Sequence, residues 1–181
     1  MAHHHHHHMR QTGSFQPFFL RGKVVHGKGR GGSQLGFPTA NIGLDKDVME
    51  CLQPYKNLVV YGWGTVSQVP GKERESFGPY PFAASIGFNM QFDEKTLTVE
   101  PYFLHEFGWD FYGAVVKIIV LGEIRSMGSF HSLQALVDTI KSDVQFTRDM
   151  LQKPQLQEFS RHSLFESPSS TIPYFEDLPD E

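Results

Sequence analysis

The sequence predicts a mainly β protein, an antiparallel sheet or barrel with one helix late in the chain. Three observations carry that expectation. Short runs rich in β-branched and aromatic residues follow one another at hairpin spacing. No helix-period segment separates them, so nothing is available to make parallel crossovers. A single long amphipathic stripe then runs from Leu133 to Leu151.

Met1–His8 is an expression tag and stands outside the fold, and it holds six of the ten histidines. Met9–Gln16 is a short extension with little room for a transit or signal peptide. Phe18–Val25 reads as the first strand, entering a glycine-rich loop. Leu58–Val66 is β-branched and aromatic, with Gly62 and Gly64 marking bends or close backbone approach. Val69–Pro81, rich in Pro, Gly and charge, reads as a loop, and Phe82–Met90 as the next strand, with a turn at Phe92–Lys95. Thr96–Leu104 alternates, placing Leu97, Val99 and Phe103 on one face and Thr98, Glu100 and Tyr102 on the other. Ala114–Arg125 is the longest β-branched run. In the helix, Leu133, Leu136, Val137, Ile140, Val144, Thr147 and Leu151 form one stripe that packs on the sheet. Ser129 or Ser132 caps its start, and Pro154 lies just beyond its end. The domain is expected over residues 17–160, and residues 161–181, acidic and rich in Ser and Pro, read as a mobile tail.

Composition narrows the function. The 181 residues suit one domain, and a net charge of −4 disfavours a nucleic-acid binder, which needs a basic surplus to meet phosphates. Nothing has the apolar length of a membrane span. The single cysteine, Cys51, excludes a disulfide scaffold and a Cys-rich zinc site and fits a reducing, cytoplasmic setting.

The segment with chemical content lies between Gly27 and Asn41. Gly27, Gly29, Gly31 and Gly32 let main-chain N–H groups crowd around a bulky group, and Lys28 and Arg30 make an anionic phosphate the natural occupant. Gly27, Gly29 and Gly32 match G-x-G-x-x-G, yet Gly36 and Pro38 follow too soon for the helix that a dinucleotide site needs. A P-loop is excluded too, since Gly31-Gly32-Ser33 lacks its lysine. A glycine loop between strands that arches over phosphates remains, beside the plain alternative of a surface hairpin. Pro38 favours an extended Phe37, and Thr39 and Asn41 alternate about Ala40, so both side chains point one way. Their neutral oxygens suit Mg²⁺ held mainly by phosphates, or they simply satisfy a turn.

These residues resemble the riboflavin kinase (flavokinase) family, of the monofunctional eukaryotic type. The resemblance covers Gly27–Gly32 and Leu35-Gly36-Phe37-Pro38-Thr39-Ala40-Asn41, then Tyr61-Gly62-Trp63 and Ser85-Ile86-Gly87. It continues through Glu100-Pro101-Tyr102-Phe103-Leu104-His105, Asp110-Phe111-Tyr112-Gly113 and Arg125 to Ser132-Leu133, so that it spans about Pro17 to Leu151. It implies a six-stranded antiparallel Greek-key β-barrel with a helix packed at its C-terminal end. It also implies phosphorylation of riboflavin by ATP to give FMN and ADP, by a cytoplasmic monomer whose partners are small molecules. The family's metal site maps onto Thr39 and Asn41, with Mg²⁺ the expected ion and Zn²⁺ or Mn²⁺ as alternatives. Its phosphate loop maps onto Gly27, Lys28, Gly29, Arg30, Gly31, Gly32 and Ser33 with Thr39, and its catalytic carboxylate onto Glu100. His105, Phe111 and Tyr112 match the nucleotide-flanking region, and Arg125, Met127 and Phe130 a flap near the flavin. Many relatives carry a lysine where this chain has Ser33, and Lys28 is the candidate replacement. Two rivals stay open from the residues alone: an FMN-dependent β-barrel oxidoreductase, and a non-catalytic flavin- or nucleotide-binding module.

Overall fold

The computed structural model describes residues 15–25, 37, 39–89 and 96–179. The glycine loop Gly27–Ser33 and the expected turn at Phe92–Lys95 lie outside the described residues.

Among the described residues, seven strands and three α-helices form in the order β1 (Phe18–Val25), β2 (Asn41–Ile42), α1 (Lys46–Cys51), β3 (Leu58–Val69), β4 (Lys72–Asn89), β5 (Thr96–Phe103), β6 (Val115–Ser126), α2 (Leu133–Leu151), α3 (Pro154–Gln157) and β7 (Tyr174–Asp177). The sheet order is β2-β1-β6-β3-β4-β5, antiparallel throughout. β3, β4 and β5 form a meander and β6 returns to lie beside β3, which is the Greek-key arrangement. The ends of the sheet meet where Thr39 bridges to Tyr102 and the Ala40 N–H donates to Pro101 O at 3.1 Å. Six strands thus make a nearly closed barrel, as expected, and closure brings residues near 40 and near 100 side by side.

Much of the sheet is covered on both faces. Phe18, Leu20, Val60, Phe82, Ile86, Val99, Phe103, Ile118 and Val120 fill the barrel. Outside it, Phe19, Tyr61, Ile119 and Leu121 pack against Leu151, Phe165 and Leu178. A third cluster joins Ala83, Tyr102 and Leu104 to Ile140 of α2. Double burial explains why β6 is buried without a break through Gly122, and apolar there except for Lys117, instead of alternating. Gly62 marks a close approach: a Cβ there would lie 1.8 Å from Ile119 O, at a register shift between β3 and β6.

α2 spans the expected residues and packs on the sheet, with Ser132 as its cap accepting the Ala135 N–H at 3.0 Å. Pro154 does more than end it, since it opens α3.

Two expectations are corrected. Most of Val69–Pro81 is strand: β4 begins at Lys72, and only a tight turn at Pro70-Gly71 separates it from β3. Gly78 and Pro79 stay out of the ladder at a register irregularity opposite Thr65, a kind of place where a proline is tolerated in a strand. The second correction concerns the expected tail, which folds back through Pro179. β7 pairs with Phe18–Arg21 on the same edge of β1 whose far end, Val24–Val25, pairs with β2. Arg21 donates to Ile172 O at 2.9 Å, Ser67 and Ser169 share a hydroxyl bond at 2.9 Å, and the Leu178 N–H donates to Pro17 O at 3.0 Å. Lys117, buried in the outer layer, donates to Phe165 O and Ser167 O. Its dispersed apolar residues, Phe165, Phe175 and Leu178, are buried because the open edge of β1 gives them a place to go.

Candidate active site

A cavity of about 710 Å³ lies outside the barrel, between the outer faces of β3–β6 and the helix α2, with the segment Met127–Ser132 along its rim. Strand register builds its floor. Ala83, Ser85 and Gly87 of β4 stand opposite Tyr102, Glu100 and Thr98 of β5, and Val59 stands opposite Ser85 on the other side. The residues between them, Phe82, Ala84 and Ile86 on β4 and Leu97, Val99 and Phe103 on β5, point into the barrel. Small residues on β4 beside larger polar ones on β5 leave a groove, which Leu136 and Ile140 of α2 cover with apolar surface.

The structure brings together Thr39, Glu100, Arg125, Met127 and Phe130, all of which line this cavity. Glu100 is half-buried on the floor, and Thr39 reaches it because the Thr39–Tyr102 bridge closes the barrel there. Ala40 and Ile42 are in the core, so Thr39 and Asn41 share the opposite, outward side of the extended chain, as the alternation predicts. Asn41 is not among the cavity-lining residues. It pairs with Val25, where β1 leaves for the glycine loop.

His105, Phe111 and Tyr112 belong elsewhere, to the β5–β6 connection. His105 stacks on Tyr80 with ring centroids 3.8 Å apart, and Phe111 is buried in the core beside Phe103 and Phe107. Tyr112 is exposed. This connection adjoins the end of β1, since the Gly113 N–H donates to Val24 O at 2.9 Å and the Val24 N–H to Ala114 O at 2.8 Å. Trp63 anchors the C-terminal layer, donating its ring N–H to Leu156 O at 3.0 Å.

Three polar residues shape the deep side of the cavity. Arg125 forks onto Asp143 of α2, with Nε and Nη2 each about 3 Å from a carboxylate oxygen. Asp143 is 4% exposed at its side chain, so this pair is a largely dry clasp between β6 and α2. The guanidinium also lies 5.6 Å from the Phe130 ring centroid, which ties the rim to the same clasp. Tyr102 stacks on Phe37, and its buried hydroxyl has no hydrogen-bond partner among the described residues. Burial, and then the Asp143 carboxylate, push the Tyr102 pKa far up against the opposing pull of Arg125, so the phenol stays protonated. A buried hydroxyl without a partner carries an unreturned desolvation cost. Tyr102→Phe is therefore expected to stabilise the protein by about 1 kcal/mol, read as a rise in thermal midpoint; a fall would show that the hydroxyl is paired.

Sequence reasoning missed Tyr102 and Asp143 as site residues. For Asp143 a signal existed: a carboxylate three residues after Ile140 and four before Thr147 interrupts the buried stripe, where an unpaired charge is not tolerated. For Tyr102 the signals were its place on the polar face of β5 and within the stretch Glu100–His105 that carries the resemblance.

Among the described residues no group of three His, Cys, Asp or Glu side chains is placed to hold a metal. Thr39 and Asn41 offer two neutral oxygens on one side of the extended chain, of the kind a hard cation accepts.

The family model for flavokinase, described as riboflavin kinase, matches residues 14–151. The chain belongs to the riboflavin kinase family. It is 35% identical over 145 residues to a riboflavin kinase of Pyricularia oryzae, covering 76% of this chain and 72% of that protein. It is 31% identical over 157 residues to the Homo sapiens riboflavin kinase, covering 86% and 95%. A crystal structure of riboflavin kinase from Trypanosoma brucei superposes with a TM-score of 0.81 at 94% identity, covering 92% of this chain and 99% of that one. The family model stops at the end of α2, so the fold-back of β7 lies beyond the matched segment. Among the described residues no helix is long and apolar enough to cross a membrane.

Proposed function

We infer that this chain transfers the terminal phosphate of ATP to the ribityl 5′-hydroxyl of riboflavin, giving FMN and ADP. The observation that carries the placement of substrates is the convergence of Glu100 and Thr39 at one apolar-walled cavity of a size that suits a cofactor-like ligand. In this reading the flat flavin ring lies on the floor at Val59 and Ser85, under Leu136 and Phe130, with the ribityl chain running toward Glu100. Glu100 orients the terminal hydroxyl and takes its proton as the oxygen attacks the γ-phosphorus and the bond to the β-phosphate oxygen breaks, releasing ADP. The glycine loop, with Lys28 and Arg30, supplies N–H donors and positive charge to the phosphates from the chain between Val25 and Thr39. Thr39 and Asn41 would hold the divalent cation, Mg²⁺ with Zn²⁺ or Mn²⁺ as alternatives, which when bound neutralises phosphate charge. The Arg125–Asp143 clasp holds the helical wall against the sheet and so keeps water from the reacting end. The proposed setting is a cytoplasmic monomer acting on two small molecules, to which the single thiol Cys51 is suited.

Incubation with riboflavin, ATP and Mg²⁺ is expected to yield FMN and ADP in equal amounts. Flavin retained without conversion would point to a binding module, and flavin reduced by NAD(P)H to an oxidoreductase. Thr39→Ala is expected to lower turnover about 10- to 100-fold, the usual consequence of disturbing a metal's surroundings, with little change in thermal midpoint because its side chain faces out of the core. Equal losses of activity and stability would instead assign Thr39 to forming the turn.

A further inference from the structure

Gly87 is the last of the small residues on the cavity side of β4. Its φ lies outside the left-handed region, so the backbone does not require glycine there. What requires it is Met127. A Cβ on Gly87 would lie 2.7 Å from Met127 Sδ and 3.1 Å from Cε, and nothing else stands within 4 Å. Met127 is also fixed through its main chain, donating its N–H to Asn57 O at 2.7 Å. The next residue, Gly128, has open space around it. The rim of the cavity is therefore held at Met127, seated on bare backbone of β4, at Phe130 against the Arg125 guanidinium, and at Ser132, which caps α2.

We propose that Gly87 is a positioning residue for flavin binding: its missing side chain seats the Met127 thioether, which sets the width of the cavity where the flat heteroaromatic ring of the acceptor lies. This rests on the reading that the cavity takes riboflavin. A methyl group at position 87 drives the thioether several tenths of an ångström or more into that space. Displacing the tip of one flexible side chain costs the fold little. The change falls on the binding of the ring and not on the proton transfer at Glu100, so KM and kcat separate.

The test is riboflavin-dependent steady-state kinetics, with thermal unfolding, on Gly87→Ala, Met127→Ala, the double variant and Phe130→Ala. Gly87→Ala is expected to raise KM for riboflavin about tenfold, the scale of one methylene misplaced in an apolar pocket, with kcat within about twofold, KM for ATP unchanged and the midpoint nearly unmoved. On the Met127→Ala background the same substitution is expected to change KM by less than about twofold, because the atoms it displaces are gone. An equal rise with and without the Met127 side chain overturns the proposal. So does a large loss of midpoint that Met127→Ala does not restore. An unchanged KM for Gly87→Ala, with a raised one for Phe130→Ala, rejects the seat alone. No change in either variant rejects the cavity as the flavin site.

Discussion

Glu100→Gln is expected to lower the rate of FMN formation by about 10²- to 10⁴-fold, the range that a positioned general base supplies, while the barrel stays folded. The swap keeps the shape and both hydrogen-bonding ends of the side chain and removes its capacity to take a proton. Structure makes the experiment clean. Glu100 is on the outward face of β5, and its neighbours Val99 and Pro101 are the ones that fill the interior. Steady-state FMN production, read beside thermal unfolding, checks it. Turnover within about tenfold of the parent, at unchanged midpoint, would reassign Glu100 to orienting the hydroxyl and leave the proton to another acceptor.

Deleting residues 162–181 is expected to cost more than about 5 kcal/mol, a large part of the marginal stability of a domain this size. Phe175, buried and stacked on Phe18 at 4.9 Å, would go, along with buried Phe165 and Leu178. Each such side chain contributes about 1.5–3 kcal/mol by burial alone. The loss would also uncover Phe19 and take both carbonyl acceptors from the Lys117 ammonium, whose pKa is already held down, first by burial and then by Arg21, against a smaller opposing pull from Glu166. Its edge of β1 would lie open to pairing with other chains. Denaturant unfolding measures the loss, with Phe175→Ala, expected to cost about 3–5 kcal/mol, as the milder variant. A shortened chain with an unchanged denaturation midpoint would return the segment to the status of an unattached tail.

Much of the fold was legible because its signals are local. Alternation and β-branched content placed β1, β5 and β6 close to their observed ends, and a 3.6-residue stripe with a serine cap placed α2. β2 has two residues and no periodicity to read. The first half of β4 has the composition of a loop and is a strand because β3 offers it a partner. The site divides the same way. Of the residues that the resemblance singled out, Thr39, Glu100, Arg125, Met127 and Phe130 line one cavity, and Asn41 does not.

Residue order alone therefore determined which chemistry the chain can perform and which segments want to be extended or helical, because both depend on neighbours a few positions apart. Register, closure and contact across long separations decided the rest. Barrel closure sets Thr39 beside Tyr102, the α2 packing brings Asp143 to Arg125, and the rim seats Met127 over Gly87. The edge of β1 turns an acidic, Ser- and Pro-rich stretch into part of the fold. Such pairings join residues tens of positions apart, and their free energy exists only once the intervening chain has folded.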